Sequence, residues 1–296
     1  MAQKDREILG LVKVTTPALT IGGLTALGVN SALQQIIAKG GGVDPEYIAT
    51  MEARPAIGLG TRHIATVLAS ASIAGVECTT LDAYFQKLVA YGTRANTNCQ
   101  KVTFAKAFLL PRSIQASQGA PASINLDALA ISTDGASPVT IVNNATVPAG
   151  EAVSTAWTMG PISINSTSYD LEAGELDFGI GEELETDEGN AFPELAKIMT
   201  RNPVFRFASR TAFTLYDLGI TGEELTAFTW YLRKLDSYGL RVADGTAEHI
   251  KFTTVGYVHV EDVSGDNNTQ ALTNVIVRCC NPGATILTID ETSAIT

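Results

Sequence analysis

Three histidines and four cysteines in 296 residues leave little material for metal or triad chemistry. His63, His249 and His259 share no metal-ligand or triad spacing, and they read as surface or satisfied interior residues. Cys78, Cys99, Cys279 and Cys280 contain no CxxC spacing, so free thiols of a reducing compartment are expected in place of a zinc site or disulfide framework. The many serines and threonines sit in no GxSxG or SxxK context. Basic residues are scarce too: 20 Lys and Arg stand against 31 Asp and Glu, a net charge of −11. That balance argues against a protein that grips nucleic-acid phosphates, though not against one that nucleic acid must pass without sticking. Long apolar runs are missing as well. The most apolar long stretch, ALTIGGLTALGVNSALQQIIA, is broken by Thr25, Asn30, Ser31, Gln34 and Gln35, so no membrane span is expected. The opening MAQKDREILGLVKVTT carries a five-residue apolar run, too short for the core of a signal peptide.

Several motif-like fragments lack their companions. The DFG at Asp177 has no HRD, glycine-rich loop or VAIK with it, and reads as a strand with Leu176, Phe178 and Ile180 inward and Glu175 and Asp177 outward. TDGAS at Thr133 matches NPGAT in the second half of the chain, which has no aspartate, so an aspartic dyad fails. EDVSGDNN, Glu261 to Asn268, has calcium-friendly oxygens without the EF-hand order and reads as a polar hairpin turn. With no catalytic constellation, neither an enzyme nor a cofactor is expected.

What the chain does have is an echo. YFQKLVAYGTR, Tyr84 to Arg94, returns 147 residues later as YLRKLDSYGLR, Tyr231 to Arg241, with six of eleven positions identical. DPEYIATMEARP, Asp44 to Pro55, faces FPELAKIMTRNP, Phe192 to Pro203, at 148, keeping Pro45/Pro193, Glu46/Glu194, Met51/Met199 and Pro55/Pro203. Arg62 matches Arg210, Ile73 and Gly75 match Ile220 and Gly222, and VTI at Val139 faces LTI at Leu287. One spacing held across so many positions implies an internal duplication. The expected division is residues 1–148 and 149–296, with Asn143 to Pro161 as linker.

The stripe Leu81, Tyr84, Phe85, Leu88, Tyr91, repeated as Phe228, Tyr231, Leu232, Leu235, Tyr238, has helical spacing. Thr79 with Asp82 and Thr221 with Glu224 supply capping-box spacing, and Gly92 and Gly239 stand where left-handed caps belong. Ala122–Ser132, Pro203–Ser209, His249–Val263 and Ala271–Cys279 read as strands. The expected fold class is therefore mainly β with helices (α+β): two tandem similar β-sandwich or barrel domains, each with one main amphipathic helix.

Two similar domains in one chain can present two similar strand edges, and head-to-tail pairing of such edges closes into rings. This plan, with short Ser/Thr/Ala/Gly-rich strands and the acidic stretch DLEAGELDFGIGEELETDE, resembles the tail-tube proteins of long-tailed bacteriophages. The resemblance implies a virion structural protein of the phage tail, assembled in the bacterial host cytoplasm. Its partners would be itself, as a homotrimeric pseudo-hexameric ring stacking into a tube, and other tail proteins. DNA would pass through transiently and without sequence-specific contact. An acidic lumen would repel phosphates during ejection. The candidate lumen acids are Asp170, Glu172, Glu175, Asp177, Glu182, Glu183, Glu185, Asp187 and Glu188; the alternative reading is a solvated acidic loop. Gly22–Gly40, the matching stretch of the first half, contains no acid. Arg62, Arg94, Arg210 and Arg241 recur in both halves and are candidate interface residues, or else cover their own sheets. Other virion roles, in a baseplate or capsid decoration, fit the same features. A sliding-clamp-like ring would need basic inner helices, for which the repeated motif offers only Lys87, Arg233 and Lys234.

Overall fold

The computed structural model of the chain describes residues 6–39, 45–88, 94–149, 155–187, 189–209, 221–266 and 269–296. Strands dominate it. In the first half these are β1 (Arg6–Thr16), β2 (Leu19–Ile21), β3 (Leu24–Asn30), β4 (Leu33–Lys39), β5 (Pro45–Ala53), β6 (Ala56–Thr61), β7 (Val76–Leu88), β8 (Cys99–Ser117), β9 (Ser123–Ala130) and β10 (Val139–Ala145). The second half has β11 (Ala156–Ile164), β12 (Thr167–Tyr169), β13 (Ala173–Asp177), β14 (Ile180–Glu185), β15 (Leu195–Arg201), β16 (Val204–Ser209), β17 (Glu223–Leu235), β18 (His249–Asp266), β19 (Thr269–Cys279) and β20 (Thr288–Ser293). Among the described residues one α-helix occurs, α1 (Ile64–Ala71), which buries Ile64, Val67, Leu68 and Ala71.

The four segments read as strands lie in β9, β16, β18 and β19. The residues assigned to helices do not behave so. Tyr84 to Leu88 belong to β7, and Tyr231 to Leu235 to β17; Tyr91 and Gly92 lie outside the described residues. The physical reason is that each strand is covered on both faces. In β7, Leu81 and Ala83 enter the main core while Tyr84, on the other face, joins Leu11, Cys99 and Val147. In β17, Phe228, Trp230 and Leu232 enter the main core, while Tyr231 lies under the Lys251 ammonium and within 3.4 Å of the Thr296 hydroxyl. Apolar residues on both faces break strict alternation and imitate a helical stripe. Thr79 and Asp82 are strand residues, and the Asp82 carboxylate accepts from the Thr103 hydroxyl. Gly239 serves a turn (φ +78°) in which the Asp236 carboxylate accepts from the N–H groups of Tyr238 and Leu240. The linker is shorter than expected, since Val139–Ala145 and Ala156–Ile164 are strands.

Strand pairing follows the same plan in each half, antiparallel throughout. β1 pairs with β2 and β7 as β11 pairs with β12 and β17. β7–β8–β9–β6–β3 is matched by β17–β18–β19–β16–β13, and the β10–β8 ladder by β20–β18. Irregularities recur too: the ladder shifts between Leu9 and Val12 and between Met159 and Ile162, and again between Pro111 and Ser113 and between Val260 and Asp262. Gly75 and Gly222, each just before its strand, adopt φ +67° and +75°, where a side chain would be strained.

The main core runs through both halves. Its first part is aliphatic around Phe104; its second is aromatic, with Phe205 and Phe228 ring centroids 4.7 Å apart and Trp230 stacked on Phe252 at 5.2 Å.

Candidate assembly surface

The halves are joined by a backbone ladder. The end of β8 pairs with β13 in the register Ser113↔Asp177, Ile114↔Leu176, Gln115↔Glu175, Ala116↔Gly174 and Ser117↔Ala173. The result is one continuous antiparallel sheet of order β3-β6-β9-β8-β13-β16-β19-β18. One face is packed on the core through Ile57, Leu59, Ile124, Leu126, Ile114, Leu176, Phe205 and Val277.

The other face is solvated and built mainly from small or polar residues. Pairing places Gly58 and Gly60 beside Asp127 and Asn125, then Ser113 and Gln115, then Asp177 and Glu175. Arg206 follows on β16, and Asn274 on β19 donates to the Asp262 carboxylate on β18 at 2.7 Å. The face curves around a shallow cleft of about 510 Å³ lined by Gln115, Ser117, Ser123, Glu175, Arg206 and Asn274. Two of its cations are countered, since Arg206 lies 3.8 Å from Asp177 and Arg112 donates to Asp127 at 2.7 Å, while Arg278 stands exposed in the row of Asp177. Such a surface offers no large apolar foothold and no run of cations.

Both ends of the sheet are open among the described residues. β3 is paired through β6 on one edge. β18 beyond Val258 is paired through β19 on one edge, because its ladders with β17 and β20 have ended. The shared ladder shifts align Ser113 with Asp262 and Ile114 with Val263 at a spacing of 149, and pairing with the equivalent strands β16 and β6 aligns Leu176 with Val29 and Asp177 with Asn30 at 147. The open edges thus occupy the places of the two strands that meet at β8–β13. At that junction Ile114 and Leu176 are both 0% exposed, whereas Val263 and Val29 are 44% and 42% exposed.

The nine acids are divided between several surfaces. Glu175 and Asp177 stand on the polar face of β13, with Glu175 accepting from the Gln115 amide at 3.1 Å; Asp170 and Glu172 precede that strand. Glu182, Glu183 and Glu185 belong to β14, in a separate two-stranded sheet with β15. Asp187 lies in the following loop, and Glu188 falls outside the described residues. Glu182 is held by two Arg112 N–H donors, at 2.8 and 2.5 Å, which keep its carboxyl below the usual range, and Glu185 pairs with Lys197 at 2.6 Å. Leu176, Phe178 and Ile180 are buried as expected, but not along one strand: β13 ends at Asp177, and β14 begins at Ile180 in another sheet.

Of the arginines, Arg94 and Arg241 are exposed and bridge back to Leu88 and Leu235 respectively, closing the loops that follow β7 and β17. Arg62 is exposed at the start of α1, and Arg210 lies outside the described residues. His249 is a satisfied interior residue: its Nδ1 accepts from the Lys234 N–H, and its Nε2 lies 3.1 Å from the Ala243 carbonyl oxygen. Among the described residues, no group of three or more His, Cys, Asp or Glu gathers as a metal site, and no helix is long and apolar enough to cross a membrane. Neither a protein-family model nor a curated protein sequence matches the chain.

Sequence reasoning missed Arg112, Asp127, Val29 and Val263. The signal for Val29 was present in the alignment of the halves, where it faces Leu176 at 147; Val263 faces Ile114 only at 149, a spacing that the strand ladders reveal.

Proposed function

We propose that the chain is a virion structural protein, a tail-tube subunit whose copies join head to tail into a ring, and that stacked rings enclose a channel for DNA. Residues 1–148 and 149–296 are then two tandem copies of one β unit, and one subunit supplies two places in the ring. The observation that carries this reading is the pair of open edges on β3 and β18. Each is the counterpart of a strand that is paired at β8–β13, so the junction inside one chain is a template for the junction between chains. Pairing in the same register sets Val29 against Val263 and Asn30 against Asp262 of the next copy. This heterologous contact buries two exposed valines and hides two strand edges that would otherwise recruit chains without limit.

Closure by three copies gives a pseudo-hexamer with the polar face lining the bore. A closed wall of so many strands is wide enough to leave an aqueous channel. Small hydroxyl, amide and glycine residues with Asp127, Glu175, Asp177 and Asp262 suit a surface past which polyanionic DNA slides without binding. The site of action is the phage tail, with assembly in the bacterial host cytoplasm.

Sedimentation velocity over a range of concentrations tests the reading. Three-chain species and their multiples are expected; a single-chain species at every concentration overturns it.

A further inference from the structure

Two hairpins project from matching positions of the chain and differ in what covers them. The β14–β15 hairpin belongs to the second half but lies against the first. Ile180 is 8% exposed, and Leu184 and Ile198 pack on the main core. Arg112 on β8 donates to the Ile180 carbonyl at 2.9 Å and to both carboxylate oxygens of Glu182. The Ala53 N–H donates to the Ala191 carbonyl and the Ser132 N–H to the Pro193 carbonyl, each at 2.7 Å.

The β4–β5 hairpin has the same construction. Its ladder shifts between Gln34 and Gln35 as the other shifts between Gly181 and Glu182, which aligns Leu33 with Ile180, Gln35 with Glu182 and Ile37 with Leu184. Yet Leu33 is 47% and Ile37 55% exposed, and Ile36, Tyr47, Ile48 and Met51 are exposed with them. Of these, Leu33, Ile37 and Ile48 share the face that corresponds to Ile180 and Leu184, and exposed apolar residues grouped on one face mark an interaction site.

We propose that the β4–β5 hairpin seats on the second half of a neighbouring copy, as β14–β15 seats on the first half of its own chain. The inference rests on the ring reading and adds a second contact to the strand-edge seam. Three observations select this occupant. The first half of each chain already carries its own β14–β15 hairpin. β4 follows β3, the strand whose open edge faces β18 of the neighbour, so both contacts fall on one copy. The polar pair at the seat is also compatible. Arg112 corresponds to Glu261 on β18, and Glu182 to Gln35, so a side-chain amide would donate to a carboxylate where the intrachain junction has a guanidinium and a carboxylate. A glutamate at position 35 would instead set two carboxylates together.

The test follows from that correspondence. Gln35→Glu should raise the concentration needed for half-assembly at least 10-fold. The double variant Gln35→Glu/Glu261→Arg, which rebuilds the Arg112–Glu182 pair between copies, should return it to within about threefold of the unmodified protein. Circular dichroism melts of unassembled protein should coincide for all forms, because both side chains are exposed. Unmodified protein that never assembles overturns this inference together with the ring reading. Normal assembly of Gln35→Glu, or no recovery in the double variant, overturns the hairpin seat alone and leaves the strand-edge ring standing.

Discussion

Ile114 and Leu176 face each other across the ladder that joins the two halves of the chain, and neither is exposed to solvent. Their counterparts, Val263 and Val29, lie on open edges at opposite ends of the same sheet. An aspartate at either exposed valine should leave the fold intact and abolish assembly, because a desolvated carboxylate would oppose an apolar partner at the seam. Leu176→Asp should instead prevent folding. Sedimentation and far-ultraviolet circular dichroism, measured on Val29→Asp, Val263→Asp and Leu176→Asp, separate these outcomes.

Arg112 ties β8, β9 and β14 together through Asp127, Glu182 and the Ile180 carbonyl. Replacing it with Met should cost about 1–3 kcal/mol, lowering the thermal midpoint by several degrees. The pH dependence has a definite sign. The folded-state value of Glu182 lies below its ordinary 4.5, so its stabilisation is complete above that value and is lost as pH falls through the folded one. The difference between unmodified and Arg112→Met protein should be constant near neutrality and shrink in acid, as thermal melts at stepped pH would register.

Gly10 and Gly160 lie within matching ladder shifts. A Cβ at either would sit 2.5 Å from a carbonyl oxygen, that of Tyr84 or of Tyr231. Alanine at either position should destabilise by about 1–3 kcal/mol, and by similar amounts in the two halves. Gly28→Ala, with nothing within 4 Å, is the control and should change little. Denaturant titration of the three variants measures this.

Much of the fold was legible because the spacing of an echo does not depend on assigning secondary structure. Matches such as Gly75/Gly222 and Arg94/Arg241 mark equivalent turns and bridges whatever elements lie between them. The helix at Tyr84 and Tyr231 was misread for a physical reason: both strands are apolar on both faces, and only tertiary packing distinguishes that from an amphipathic helix. The acidic run, continuous in sequence, is divided between two sheets. Glu182 and Glu185 follow Asp177 closely in sequence, but Gly179 (φ +56°) turns the chain into a separate hairpin, where each finds a cation. The cross-strand neighbours that define the polar face, such as Gln115 with Glu175, are remote in sequence and carried no local signal.

The polar face should repel DNA, and reversing its charge should reverse that behaviour. In Glu175→Lys protein, assembled particles should retain DNA at low ionic strength and release it as salt rises, whereas unmodified particles should retain none. A filter-binding assay across a salt series provides the comparison.

Negative-stain electron microscopy of concentrated protein tests the central claim most directly. Rings or stacked tubes of uniform bore are predicted; a field of separate single chains, or of irregular aggregates without a channel, would contradict it.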